Sequence, residues 1–290
     1  MNVPPLTMPW LPPGTTVVLP GRGEIFVRHH RHPDPSVPTL LLLHGWTASA
    51  DLQFFTAYEA LAEHYSFIAV DHRGHGRGMR TARPFELEDA ADDAAATARI
   101  LANGPVVVVG YSMGGPIGLL LTHRHRDLVS GLVVEATALE WRATRWERVR
   151  WRTVRLIGPL MRSWAYPRWL RYGITKLLGV GHELEVFVPW LEAETRRGDP
   201  LAIVQAGRAL SRYDARPWAG SLSVPAAALI TTRDHLVLPH KQLELARALD
   251  AAIVEMDADH LAAWEQPGVF GATTLALVDR VTGRTPNPTS

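Results

Sequence analysis

The chain has 290 residues, 47% of them hydrophobic and 20% charged, with a formal net charge of +1. At about 100–200 residues per domain this length suits one large domain with an insertion or two modest ones, and the composition argues against disorder and against a membrane-embedded class. The absence of cysteine removes disulfides, thiolate metal sites and thiol nucleophiles, and the near-balanced charge argues against a general polyanion binder.

The opening MNVPPLTMPWLPPG is rich in proline and has no continuous apolar stretch, so it does not read as a signal peptide, and the expected location is the cytoplasm. No run approaches the roughly 18–20 apolar residues that cross a bilayer. TTVVLP and GEIFVRHHR, joined by a glycine-containing turn at 21–23, read as an antiparallel pair that starts the edge of a sheet. His29, His30 and His32 on this edge strand have no acidic or thiol partner nearby and read as solvent-exposed side chains, not a metal site.

Strands are expected next at TLLLLHG (39–45), FIAVDHRG (67–74), VVVVGYS (106–112), LVVEAT (132–137), AAALITTRD (226–234) and AIVEMD (252–257). Several are continuously apolar, as strands of a parallel sheet covered on both faces are. Between them DLQFFTAYEALAEH (51–64), LEDAADDAAATARIL (87–101), GGPIGLLLTHR (114–124) and HKQLELARALD (240–250) read as helices. The alternation predicts an α/β chain with a mostly parallel, doubly wound eight-stranded sheet. One interval breaks the rhythm with helical periodicity and no clear strand, so residues 138–216 are expected to form an inserted helical cap, with 1–137 and 217–290 as the core. Its last part, LAIVQAGRALSRYDARPW, reads equally as a framework helix leading back into the sheet, and TGRTPNPTS as a frayed tail.

GYSMG (110–114) lies between an apolar strand and a helix, the setting of a nucleophile elbow. Small neighbours let the backbone turn sharply there and hold the Ser112 hydroxyl out, while the Met113 N–H sits where unpaired helix donors favour an oxyanion. The competing interpretation is a glycine-rich turn with an incidental serine. A serine hydroxyl needs a base, and His260 is the best placed, in the short loop ADADH after the last expected strand and on the carboxyl rim of a parallel sheet. Asp234, ending ALITTRD, is the first choice for the acid that orients it, although Arg233 and His235 beside it also fit an ordinary salt-bridged loop; Glu135 is the reserve. A second oxyanion donor is expected from LLLLHGWTAS, where Gly45 permits close approach and the Trp46 N–H points at the same spot.

The ordered set HGW (44–46), DHRGHG (71–76), GYSMGG (110–115), TTRDHLV (231–237) and DADH (257–260) resembles the α/β-hydrolase superfamily, in its capped, lipase- and esterase-like branch, over roughly residues 15–280. The resemblance implies a triad of Ser112, Asp234 and His260, in that chain order, with the Trp46 and Met113 amides as oxyanion hole. It implies also that Asp71, Arg73 and His75 are scaffold. Dehalogenases and epoxide hydrolases of this fold carry aspartate at the elbow, where this chain has Ser112, and carbon–carbon bond hydrolases have a glycine- and proline-rich oxyanion loop that HGWTAS lacks; both activities are disfavoured.

Residues 141–176 combine ten Lys/Arg with five of the ten tryptophans and one acid, Glu147. If the first half is helical, Trp146, Val149, Val154 and Ile157 fall on one side and Arg145, Arg148, Arg152 and Arg155 on the other. This is either a cap helix packed over the site with a solvated basic face or an interfacial element that contacts membrane peripherally. Nucleic acid is not an expected partner, and the oligomeric state is left open. The function expected is a cofactor-independent, metal-free serine hydrolase of carboxylic or lipid-like esters through an acyl-enzyme on Ser112. The same triad supports thioesterase, perhydrolase or acyltransferase chemistry, and a non-catalytic ligand-binding protein is the alternative from another class.

Overall fold

In a computed structural model, which describes residues 7–163 and 165–284, eight strands form one sheet in the order β1-β2-β4-β3-β5-β6-β7-β8. They are β1 (Gly14–Leu19), β2 (Gly23–His30), β3 (Thr39–Leu43), β4 (Ser66–Val70), β5 (Val106–Tyr111), β6 (Val129–Glu135), β7 (Ala226–Thr231) and β8 (Ala252–Met256). β1 and β2 form an antiparallel edge, β2 joins β4 antiparallel, and every later pairing is parallel. The central strands are buried along both faces, which is why they read as unbroken Val and Leu runs. The six strands expected at 39–45, 67–74, 106–112, 132–137, 226–234 and 252–257 are present, each ending before its terminal loop motif.

Among the described residues the core helices include α1 (Ala50–Phe54), α2 (Tyr58–Ala62), α3 (Leu87–Leu101) and α4 (Gly114–Arg124). α3 and α4 have the expected bounds, but the helix expected over 51–64 is divided into α1 and α2. Every residue from Ala50 to Phe55 is buried, and the backbone turns at Thr56, whose carbonyl lies so close to Gly271 that an added Cβ there would stand 2.8 Å away. Tertiary crowding overrides a continuous helical pattern. The expected start of the strand at 132 also moves, to Val129: Gly131 takes a seat against Val281, where a Cβ would be 2.1 Å from a methyl group.

Between β6 and β7 run α5 (Arg145–Thr153), α6 (Ile157–Arg162), α7 (Tyr166–Leu178), α8 (Val188–Thr195) and α9 (Pro200–Arg212). An isolated antiparallel bridge between Glu140 and Asp214 brings the ends of this interval together. α9 bonds to both layers: Ile203 O accepts from Trp46 Nε1 (2.8 Å), and Gln205 Oε1 accepts the Phe85 N–H (3.1 Å). α10 (Pro239–Ala248), α11 (Ala262–Glu265) and α12 (Pro267–Thr282) complete the fold. The tail expected to fray lies, for 285–290, outside the described residues.

The amphipathic reading of the first basic helix holds at Val154, which is buried, and at Ile157, which is half-buried, but fails at Trp146 and Val149. Trp146 is 83% exposed and Val149 50%, whereas the buried residue of α5 is Glu147, with Trp151 half-buried one turn on. Lys241 Nζ on α10 reaches Glu147 Oε1 and Glu140 Oε1, each at 2.6 Å, and Trp151 Nε1 donates to Trp141 O. The i, i+4 pair Glu147 and Trp151 is the inward line because a buried lysine waits there. Arg145, Arg148 and Arg152 are exposed, and the Arg155 side chain lies outside the described residues. Nor are the edge-strand histidines simply solvated: His29, His30 and His32 are half-buried, and His30 packs on Phe67 at 5.4 Å between ring centroids.

Candidate active site

β5 delivers the chain to Ser112 at φ 51°, a left-handed conformation that β-carbon residues adopt only where the surroundings enforce it. The enforcement comes from packing. A Cβ on Gly114 would lie 1.9 Å from Leu43 O, and one on Gly110 2.4 Å from Gly114 O, so only glycine lets α4 start this close to the sheet. The Ser112 N–H donates to Glu135 O at 2.8 Å, fixing the turn to β6.

Ser112 Oγ lies 2.9 Å from His260 Nε2, and His260 Nδ1 lies 2.7 Å from Asp234 Oδ2. The structure therefore brings together three side chains separated by 148 and 26 positions. Asp234 Oδ2 also accepts from Thr231 Oγ1 (2.8 Å) and Gln242 Nε2 (3.1 Å), while Oδ1 accepts the N–H groups of Leu236 and Val237 at 2.8 Å each. Four other donors hold this carboxylate, which makes it an acceptor toward His260 as well. The imidazole thus carries its proton on Nδ1 and offers the Nε2 lone pair to the serine hydroxyl. Tyr111 Oη donates to His260 O at 2.7 Å and steadies the loop backbone. The salt bridges that would have made Asp234 an ordinary loop acid go elsewhere: Arg233 pairs with Asp257 and His235 with Asp259.

Glu135 is fully buried at the end of β6, where Oε1 accepts from Thr274 Oγ1 at 2.8 Å and burial raises its pKa to about 7. His260 takes Asp234 as its partner and leaves the reserve acid unused. The loop after β3 runs against the nucleophile, since a Cβ on Gly45 would be 3.2 Å from Ser112 Cβ. Among the described residues the Trp46 and Met113 N–H groups have no hydrogen-bond acceptor, leaving two donors beside Ser112. His44 braces this loop: its Nε2 accepts the His72 N–H (3.0 Å), so Nδ1 carries the proton and donates to Gly45 O (2.7 Å). Burial holds His44 well below the usual histidine pKa and moves His72 down to about 3 and His75 to about 4.

Asp71, Arg73 and His75 are all buried. Asp71, which burial raises to about 6, accepts the N–H groups of Ala50 and Arg77 at 2.7 Å, and Arg73 binds Asp93 and Asp89 on α3. These contacts are scaffold. Among the described residues no group of three or more His, Cys, Asp or Glu is gathered to hold a metal ion.

Ser112 and His260 open into a cavity of about 560 Å³ walled mainly by Trp46, Leu170, Ile174, Leu177 and Trp264. Among the described residues no Asp, Glu, Lys or Arg lines it. Sequence reasoning did not single out Gln242, Thr231, Tyr111 or Gln53. Thr231 stands in the quoted TTRDHLV motif and was within reach, whereas Gln242 meets Asp234 only through the docking of α10, which no local pattern signals.

A family profile for the alpha/beta hydrolase fold matches residues 38–154. A pimeloyl-[acyl-carrier protein] methyl ester esterase of Xanthomonas axonopodis pv. citri is 32% identical over 218 residues, 73% of this chain and 82% of that protein. A 2-(acetamidomethylene)succinate hydrolase of Mesorhizobium japonicum is 35% identical, but over 98 residues that make up 34% of this chain and 35% of that one. In three dimensions an esterase from Exiguobacterium antarcticum superposes with a TM-score of 0.77 at 19% identity, covering 92% of this chain and 99% of that one.

Proposed function

The chain belongs to the α/β-hydrolase fold family and is a hydrolase of its esterase kind, and from that premise we propose that it cleaves an uncharged carboxylic ester through an acyl-enzyme on Ser112. The carrying observation is the unbroken relay Ser112–His260–Asp234 at 2.9 and 2.7 Å, opening on an apolar cavity. Ser112 Oγ attacks the ester carbonyl while His260 Nε2 takes its proton, and Asp234 stabilises the resulting imidazolium. The carbonyl oxygen gains negative charge between the Trp46 and Met113 N–H groups. His260 returns the proton to the departing alkoxide, the alcohol leaves, and a water activated by the same imidazole hydrolyses the acyl-serine.

A methyl ester is the bond in the printed name of the Xanthomonas relative and heads the panel for testing this reading. Turnover of methyl and 4-nitrophenyl esters of graded acyl length is expected for the wild type, with kcat falling by about 10³-fold or more in Ser112→Ala and in His260→Ala. Equal turnover by wild type and Ser112→Ala would refute the assignment.

Residues 138–216 act in this proposal as a cap, and the rim of the cavity meets a peripheral membrane surface. Leu160, Trp169 and Leu261 line the cavity yet are 52%, 65% and 45% exposed, and residues 148–182 contain eight Lys/Arg and no acid. Exposed aromatic and aliphatic side chains interleaved with arginine suit an anionic lipid interface. The wild type is expected to sediment with vesicles containing phosphatidylglycerol and not with phosphatidylcholine alone; absence of binding to the anionic vesicles removes this part of the proposal.

A further inference from the structure

Of the buried polar side chains that line the cavity, Ser112 bonds to His260 Nε2 and Tyr111 Oη donates to His260 O. The third is Gln53, only 9% exposed. Its backbone N–H is used, donating to Ser49 O at 3.0 Å in the first turn of α1. Among the described residues its side-chain amide has no hydrogen-bond partner. The amide is also close to the chemistry: a Cβ on Gly45 would stand 3.2 Å from Gln53 Oε1 and 3.2 Å from Ser112 Cβ, so the two side chains flank one point of the oxyanion loop.

We infer that Gln53 is a specificity-determining residue, and that the substrate is an ester carrying a neutral hydroxyl or oxo group within a few bonds of the reacting carbonyl, read by this amide. The inference rests on the reading of Ser112 as nucleophile. In the free protein, solvent water that enters the cavity can bond the amide. A wholly apolar ester that fills the cavity strips this water and leaves a buried donor and acceptor unpaired, whereas an ester with a neutral polar group beside its carbonyl replaces the lost bonds. A primary amide donates and accepts, so hydroxyl and oxo groups both fit it. A carboxylate in the same place meets no cation, because no Lys or Arg among the described residues lines the cavity, and it is rejected by its own desolvation. Beyond Gln53 the wall is Leu160, Leu170, Ile174 and Leu177, which takes an aliphatic remainder.

Two matched pairs test this: methyl hexanoate against methyl 3-hydroxyhexanoate for the acyl side, and propyl butyrate against 2-hydroxyethyl butyrate for the alcohol side. The wild type is expected to favour the hydroxylated member of at least one pair by about 10–100-fold in kcat/KM, the discrimination that a buried unpaired polar group imposes. In Gln53→Leu that ratio is expected to fall to within about threefold of unity, and Gln53→Met serves if circular dichroism shows the leucine variant unfolded. A wild type indifferent to the hydroxyl in both pairs, or a preference that survives in a folded Gln53 variant, overturns the inference while leaving Ser112 in place. Ester turnover identical in wild type and Ser112→Ala overturns the nucleophile and this inference together.

Discussion

Asp234 receives five hydrogen bonds, and each donor points at a carboxylate oxygen. Replacing one oxygen by an NH₂ group sets donor against donor and favours the wrong imidazole tautomer, so Asp234→Asn is expected to lose about 10²–10⁴-fold in kcat with thermal stability lowered modestly. Glu135 makes a separate prediction in stability. Its pKa is raised by burial from 4.5 to about 7, so between those values the folded state holds a proton that the unfolded state has released, and stability falls as pH rises. The raised pKa corresponds to about 3 kcal/mol lost across that window. Glu135→Gln removes the loss, so urea unfolding at pH 5 and pH 8 is expected to show the variant gaining on the wild type at the higher pH; a constant difference would contradict the account. At this scale the sequence made Ser112, His260 and Asp234 legible through their places at strand ends. Gln53 and Gln242 were not legible, because each acquires its neighbours only through tertiary docking.

At the scale of elements, the strands were readable because burial on both faces demands continuous apolar runs, and α3 and α4 because their periodicity and bounding residues agree. α5 shows the opposite case. Counting apolar residues selects Trp146 and Val149, yet the helix docks through Glu147, whose partner Lys241 is 94 residues away. The lysine sits between two buried carboxylates, Glu140 and Glu147; burial pushes the Glu147 carboxyl up, but the hydrogen bonds it accepts from Lys241 and the Thr144 N–H, with the lysine's charge, hold it below its usual pKa. Lys241→Met leaves both acids without their cation and is expected to cost about 3–5 kcal/mol in urea unfolding, with much of the loss recovered when Glu140→Gln and Glu147→Gln are added. A loss below about 1 kcal/mol would mean that the pair is not what docks α5.

For the whole molecule, parallel strand order is what turns three distant sequence positions into neighbours: β5, β7 and β8 all run the same way, so the loops carrying Ser112, Asp234 and His260 emerge at one rim. The insertion between β6 and β7 rises from that same rim and supplies one side of the cavity wall, chiefly through α7. Its existence was legible as a long strandless interval, but not its inner face, since a helical segment without a known partner presents no reason to prefer one side. The account stands most directly on covalent labelling. A fluorophosphonate probe followed by peptide mass spectrometry is expected to place one adduct on Ser112 in the wild type, and labelling at least about 10²-fold slower in His260→Ala. An adduct on any other residue, or equally fast labelling of Ser112→Ala, would contradict it.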